Sequence, residues 1–439
     1  MRRYLAALAV GTLSLYGQQS NAVPQGMQFP TMAEANRQLP KWLSFGGEYR
    51  ARLEGFTNGG FRAGNDDAYL LNRVRLNMRV APLSWMKFQF QAQDARVFGR
   101  NAGAVPPHKD SLDLRMAFVE LGDAEKKTFA LRVGRQEMVY GEQRLVGHVS
   151  WLNNARTFDA VLGSFHHGNV RVDAFAASVV NIRDGEFNRR RDGDNFHGIY
   201  GKIDKIVPKG LLEPYVFWRL SRGIASELGG PLGRMSFFTP GFRFVGLLPA
   251  SLDYSVEMAM QRGSRASDDV GAWAGHWRLG YTLGQARWKP RLIAEYQYAS
   301  GDKDPGDGRR GTFDQLYPTP HDKIGLADQV GWRNVSALRA GMELKATKKL
   351  TLTPNYHNIW LASRFDALYS VAGLAVARSA AGTAGTHVGH EADIQAVYAM
   401  NKTVSVAAGY AYLWSGEFLK KTTPGKNYRF PYVQLMYTF

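Results

Sequence analysis

Residues 72–80 read Asn72-Arg73-Val74-Arg75-Leu76-Asn77-Met78-Arg79-Val80. Apolar residues occupy every second position, and the positions between them are polar, mostly arginine. Successive side chains of an extended chain point to opposite faces, so this segment is a strand with one greasy face and one basic face. The pattern spreads outward from there. Upstream, Leu43, Phe45, Tyr49, Ala51 and Leu53 alternate with Glu48, Arg50 and Arg52. Downstream, Phe88, Phe90 and Ala92 alternate with Lys87, Gln89, Gln91 and Gln93. Far along the chain, Leu252, Tyr254, Val256, Met258 and Met260 interleave with Asp253, Ser255, Glu257 and Gln261. Val404, Val406, Ala408, Tyr410, Tyr412 and Trp414 share a face, as do the closing Val433, Leu435, Tyr437 and Phe439.

Read this way, the chain predicts about 18 strands, near 42–54, 68–80, 85–97, 111–121, 128–138, 157–166, 169–181, 195–204, 212–222, 234–246, 251–263, 270–283, 288–300, 332–345, 350–364, 387–400, 404–415 and 428–439. The regions 139–165 and 365–386 leave room for a lost or doubled strand. No amphipathic helical stretch of useful length interrupts them.

The connections are sorted by length. Even-numbered strands end in short turns such as Ala81–Ser84, His167–Gly168 and Asn401–Thr403. Odd-numbered strands end in long loops such as 98–110, 139–156, 182–194, 301–331, 365–386 and 416–427. A soluble sandwich has no reason to sort its loops. An outer-membrane barrel does, with short periplasmic turns, long extracellular loops and an even strand count. Lipid offers no hydrogen bonds, so strands cross it only as a closed barrel without free edges. The expected fold is therefore all-β, a single closed antiparallel transmembrane barrel whose apolar parity meets lipid.

Composition agrees. The chain has 439 residues, 45% hydrophobic and 21% charged, with 12% aromatics and 47 glycines, proportions that suit strands and turns. It has no cysteine, which excludes a disulfide framework, thiolate metal sites and a cysteine nucleophile. Past Leu15 there is no apolar run long enough for a membrane-spanning helix. The mean hydropathy of −0.31 reflects strands that are half wet. Arg2-Arg3, the apolar Leu5–Leu15 and the small-residue Ser20-Asn21-Ala22 read as a cleavable export signal over 1–22, leaving 23–439 as the barrel.

If the apolar parity faces lipid, the other lines the lumen. In the first five strands it carries Arg50, Arg52, Arg73, Arg75, Arg79, Lys87, Arg115 and Arg132 against Glu48 and Asp113. Farther on, Arg171, Arg219, Arg243, Arg278, Arg291, Arg339 and Lys345 mix with Asp173, Asp253, Glu257, Glu295, Glu343, Glu391 and Asp393. A basic wall in a pore favours anions, and guanidinium groups grip carboxylates with paired hydrogen bonds. The competing reading is that these arginines pair with acids across strands and merely fill the lumen.

Other chemistry is thin. His166-His167 lack a third metal ligand at recognisable spacing. Asp302-Lys303-Asp304-Pro305-Gly306-Asp307-Gly308 is similar to a calcium loop, but Gly306 stands where a ligand is expected and no Glu closes it. Calcium in the 301–331 loop is the one cofactor this leaves open. His148, His276, His357 and His390 have no nucleophile motif beside them, so the chain does not read as an enzyme. Dispersed basic residues without a helical or zinc-finger motif argue against nucleic acid.

Three stretches resemble the alginate export family over essentially the whole mature length. The first is Phe45-Gly46-Gly47-Glu48-Tyr49-Arg50-Ala51-Arg52 with Asn72–Leu76. The second is Val133-Gly134-Arg135-Gln136-Glu137, followed by Tyr140-Gly141, Arg144-Leu145, Trp151, Asn154-Ala155-Arg156 and Phe158-Asp159. The third runs from Ser300-Gly301-Asp302 through Thr312-Phe313-Asp314-Gln315-Leu316-Tyr317-Pro318 to His321, Gly325 and Asp328. The resemblance implies a monomeric 18-stranded barrel in the outer membrane, an electropositive constriction and a loop folded toward the lumen. It implies passive export of an acidic, alginate-like polysaccharide, with the lipid bilayer and periplasmic secretion-complex subunits as partners. It also implies that Arg73, Arg135, Arg144 and Arg156 are constriction arginines and Asp159 a counter-charge. Arg135 lies on the lipid parity, so that role requires a bulge at Gly134. With the lumen-facing Arg50, Arg52, Arg75 and Arg115, these residues form the expected substrate-binding set. Uptake of small anionic solutes is the alternative transport function.

Overall fold

A computed structural model describes residues 31–123, 128–206 and 209–439; the expected export signal lies outside them. The strands are β1 (Leu43–Phe56), β2 (Asp67–Leu83), β3 (Met86–Phe98), β4 (Asp110–Gly122), β5 (Phe129–Gln136), β6 (Phe158–His167) and β7 (Val170–Asn181). They continue as β8 (Arg189–Asp204), β9 (Gly210–Ile224), β10 (Gly233–Leu248), β11 (Leu252–Arg265), β12 (Asp268–Thr282), β13 (Arg291–Ala299) and the two-residue β14 (Arg309–Arg310). The rest are β15 (Val335–Lys345), β16 (Leu350–Trp360), β17 (Leu368–Tyr369), β18 (Ala375–Ala377), β19 (His387–Ala399), β20 (Val404–Ser415) and β21 (Tyr428–Thr438). Without the short β14, β17 and β18, the wall is a closed antiparallel barrel of 18 strands. Every one of the 18 expected segments is a strand of it.

The barrel closes where β1 meets β21, with Glu48 opposite Thr438 and Glu54 opposite Tyr432. Gly47 and the terminal Phe439 exchange backbone hydrogen bonds of 2.9 and 3.0 Å. A Cβ on Gly47 would stand 2.6 Å from the Phe439 ring, so the glycine makes room for the aromatic that ends the chain. Before β1, the helix α1 (Met32–Gln38) lays Asn36 against the strand, and its amide exchanges bonds of 2.7 and 2.8 Å with the Phe45 backbone. Among the described residues no helix is long and apolar enough to cross a membrane.

Burial is inverted relative to a soluble protein. Leu53, Leu76 and Ile199 are more than half exposed on the outside, whereas Arg50, Arg52 and Arg73 are at most 2% exposed inside. Only lipid can cover such an outer wall. Aromatics mark both rims: Trp42, Trp85, Phe129 and Trp288 near the short turns, and Phe98, Trp273 and Trp414 toward the long loops.

Three details differ from the expectation. β4 carries a register shift opposite Gln91 and Ala92, which lets Asp113 and Arg115 share the inner face with Glu120 despite opposite numbering parity. The β11–β12 connection is only 266–267, although it lies on the long-loop side; there β14 runs alongside Asp269–Val270 and fills the rim instead. The region 361–386 holds the separate β17–β18 hairpin, while 137–157 is the expected loop with no further strand.

Candidate constriction and periplasmic vestibule

Two loops fold back into the lumen, 137–157 after β5 and 300–334 after β13. The first is held by the basic wall. Arg50 and Arg73 both donate to the Ser150 carbonyl, at 2.8 and 3.0 Å, and to the Leu152 carbonyl, each at 3.2 Å. Arg50 also reaches Asn153 Oδ1 at 3.1 Å, and Arg52 donates to the Trp151 carbonyl at 2.7 Å. Asn153 Nδ2 in turn donates to the carbonyls of Asn72, Arg96 and His108. The Arg52 guanidinium lies 3.6 Å from the centre of the Trp151 ring, and His321 stacks on that ring, also at 3.6 Å and 7° from parallel. One tryptophan thus joins a barrel strand to both loops.

Acids accompany the wall without neutralising it. Glu48 pairs with Arg73 at 2.6 Å and Arg75 at 3.2 Å, Glu54 with Arg52 at 2.6 Å, and Glu137 with Arg115. With Arg50, five guanidinium groups meet three carboxylates; loop carbonyls take donors from Arg50, Arg52 and Arg73, while Arg50 Nε, Arg73 Nε, Arg75 Nη2 and Arg115 Nε are buried without a hydrogen-bond partner among the described residues.

The opposite wall is an ion-pair network around Glu142, a residue the sequence reading missed. Its carboxylate meets Arg243 at 3.0 Å, Arg278 at 2.9 Å and Ser255 Oγ at 3.0 Å. Burial alone would raise its pKa, but Arg278, Arg243 and Arg144 together hold it well below the usual carboxylate range. Arg144 reaches across to Glu295 at 2.9 Å and Gln297 at 2.8 Å.

The second loop packs against the first and against the wall inside the lumen. Phe313 is fully buried, Asp314 binds Arg219 at 2.9 Å, and Tyr317 donates to Asp194 at 2.6 Å. Ala327 N donates to Glu391 at 3.0 Å on the far side. The Leu145–Gly147 backbone pairs with Tyr317, joining the two loops directly. Arg156 donates to the Pro318 carbonyl at 2.8 Å and to that of Gly147 at 3.1 Å. Burial, partly offset by Tyr317, brings its pKa down to about 10, so it stays a cation at neutral pH. Between the loops, the cavity lined by Arg144, Gln315, Thr319 and Lys323 measures about 10 Å³, room for a single water.

Of the sequence-derived set, the structure brings Arg50, Arg52, Arg73, Arg75, Arg115, Arg144 and Arg156 to this constriction. It does not bring Arg135 and Asp159. β5 pairs with β4 and β6 without a shift, so no bulge turns Arg135 inward; Gly134 takes a positive φ of 126° without inserting a residue. Arg135 and Asp159 form a two-pronged ion pair of 2.8 and 3.1 Å on the outer face, on the same parity as Val133 and Val161.

Nearer the periplasm the inner wall opens into a vestibule. Arg79, Lys87, Arg132, Arg171 and Lys202 reach water there, at the turn ends of β2, β3, β5, β7 and β8. Among their acidic partners, Glu120, Asp173 and Glu213 keep side chains at most 8% exposed beneath them, whereas Asp123, which Lys87 also meets at 3.5 Å, is 17% exposed. Long cationic stems bury their methylenes and present their charge, whereas short carboxylates stay below, so the surface is positive even where the charges are paired.

The alginate export family model matches residues 41–432. Among solved structures, the chain is similar to Pseudomonas aeruginosa OccK8 (OprE), with a TM-score of 0.60 and 13% identity over 91% of this chain and 98% of that one. Pseudomonas aeruginosa OpdQ gives 0.60 and 12% over the same shares, and Acinetobacter baumannii OccAB2 gives 0.59 and 12% over 90% and 98%. A comparison with curated proteins gives no match.

Proposed function

The chain belongs to the alginate export family and is an outer-membrane channel, and from that premise we propose that it passes anions, with an acidic alginate-like polysaccharide moving passively outward from the periplasm. The observation that carries this reading is the vestibule, where five cations face water and Glu120, Asp173 and Glu213 lie beneath four of them. Low-dielectric walls focus that potential toward the constriction and raise the local concentration of anions. Carboxylates along a polymer then pass between guanidinium groups, each contact weak enough to let the chain advance. The two loops narrow the lumen, so passage of a polymer requires them to yield. No nucleotide-binding motif supplies energy, and synthesis or a concentration gradient drives the movement.

The tightness of the loop plug favours a second reading, uptake of small anionic solutes through a narrow opening. Deletion strains separate the two. Polymer retained in the periplasm supports export, whereas slower growth on small organic acids with normal secretion supports uptake. In planar bilayers, block of the current by uronate oligomers added on the periplasmic side is the expected result; a current indifferent to them overturns the export reading.

A further inference from the structure

At the extracellular rim, the loop between β9 and β10 meets the start of β12 and the first residues of the 300–334 loop. Asp302 is 2% exposed, and its carboxylate accepts the amides of Asp304 at 3.2 Å and Gly311 at 3.1 Å. Glu227 arrives from the other loop with its side chain 6% exposed. Its amide is fixed by Asp268 at 2.9 Å, and Ser226 Oγ donates to the same carboxylate at 2.5 Å. One Glu227 oxygen is paired with Arg310, but the other, Oε2, is shut off from solvent and has no hydrogen-bond partner. Asp307 is exposed, and one of its oxygens accepts the Arg309 amide at 2.7 Å.

One oxygen from each of Glu227, Asp302 and Asp307 lies within 4.8 Å of the others. Two ligands on opposite sides of a calcium ion with bonds of about 2.4 Å are separated by about 4.8 Å, so a single ion can touch all three. Three carboxylates against one guanidinium leave two negative charges, the complement of a divalent cation. A buried carboxylate oxygen without a donor is costly, which sets Glu227 apart from an ordinary acidic loop.

We propose that Glu227, Asp302 and Asp307 bind one hard divalent cation, calcium in preference to magnesium. An all-oxygen donor set on two loops suits the larger, geometrically tolerant ion, and water completes its shell on the open Asp307 side. The ion ties the β9–β10 loop to the base of the lumen-filling loop. The Asp302 amide donates to Asp366 at 2.9 Å and Thr312 Oγ1 donates to the same oxygen at 2.5 Å, just before Phe313 and Asp314 turn inward.

The test is calorimetric titration of CaCl2 into the full-length chain, refolded from inclusion bodies free of lipopolysaccharide and stripped with chelator in detergent. The expected result is one calcium per chain, with affinity about tenfold or more weaker in Asp307→Asn and in Glu227→Gln and unchanged in the remote Glu417→Gln. Asp307 is exposed, so its variant keeps the barrel even if Glu227→Gln does not refold. Absence of saturable binding in the wild type, or undiminished binding in Asp307→Asn, overturns the site. Equal affinity for MgCl2 overturns the preference.

Discussion

The arginines of the constriction and those of the vestibule sit on the same inner wall, yet they do different things. Arg50, Arg52 and Arg73 are withdrawn from water and spend their donors on the carbonyls of Ser150, Trp151 and Leu152. Arg79, Arg132 and Arg171 stand on the same face nearer the periplasm and meet solvent. A buried guanidinium is part of the fold, because its removal strands acceptors that no water replaces. An exposed one costs the fold little and shapes the field seen by solutes.

That contrast breaks most visibly if the buried group is cut. Arg50→Ala combined with Arg73→Ala should release the 137–157 loop and destabilise the barrel by about 3–5 kcal/mol. Urea unfolding should show the loss, and single-channel conductance should rise as the plug loosens. The outer wall sharpens the comparison from the other side. Asp159→Ala leaves Arg135 facing lipid without its partner and should cost about 2 kcal/mol. Arg135→Leu with Asp159→Leu should restore stability, and neither variant should alter conductance; an altered conductance would put the pair in the lumen after all.

Acid should act on the loops more gently. Burial, aided by Arg100, lowers the pKa of His108 from 6.5 to about 4. The folded state then binds fewer protons than the unfolded one, so this contribution is whole above pH 6.5 and is lost as pH falls from 6.5 toward about 4. The loss should be about 1 kcal/mol or less once solvent screening is counted. It should be absent in His108→Gln when unfolding is followed across that range. The backbone of His108 accepts Asn153 Nδ2 at 2.9 Å, so the same protonation should make the 137–157 loop easier to cleave by protease.

Alternation alone made the barrel legible, because period-two patterning states which face meets lipid. It even placed Arg135 correctly on the outer parity, where the family resemblance drew it inward. What alternation cannot state is depth. Arg73 and Arg79 lie on one face of β2, and only the loop folding onto Arg73 makes it structural while Arg79 remains wet. The anchors of that loop were hidden for the same reason. The Trp151–His321 stack and the Glu142 hub join segments far apart in sequence, and no local spacing announces them. The expected strand bounds leave 264–269 between β11 and β12; the structure shortens this to 266–267, and β14 from another loop pairs alongside Asp269–Val270.

The most direct test of the account is the reversal potential in a KCl gradient across a planar bilayer, for the wild type and for the combined Arg79→Glu, Lys87→Glu and Arg132→Glu variant. The wild type should prefer chloride, and the variant should shift toward potassium while unfolding at nearly the same urea concentration. A cation-selective wild type, or a variant with unchanged selectivity, would contradict the claim that vestibule cations set what enters the channel.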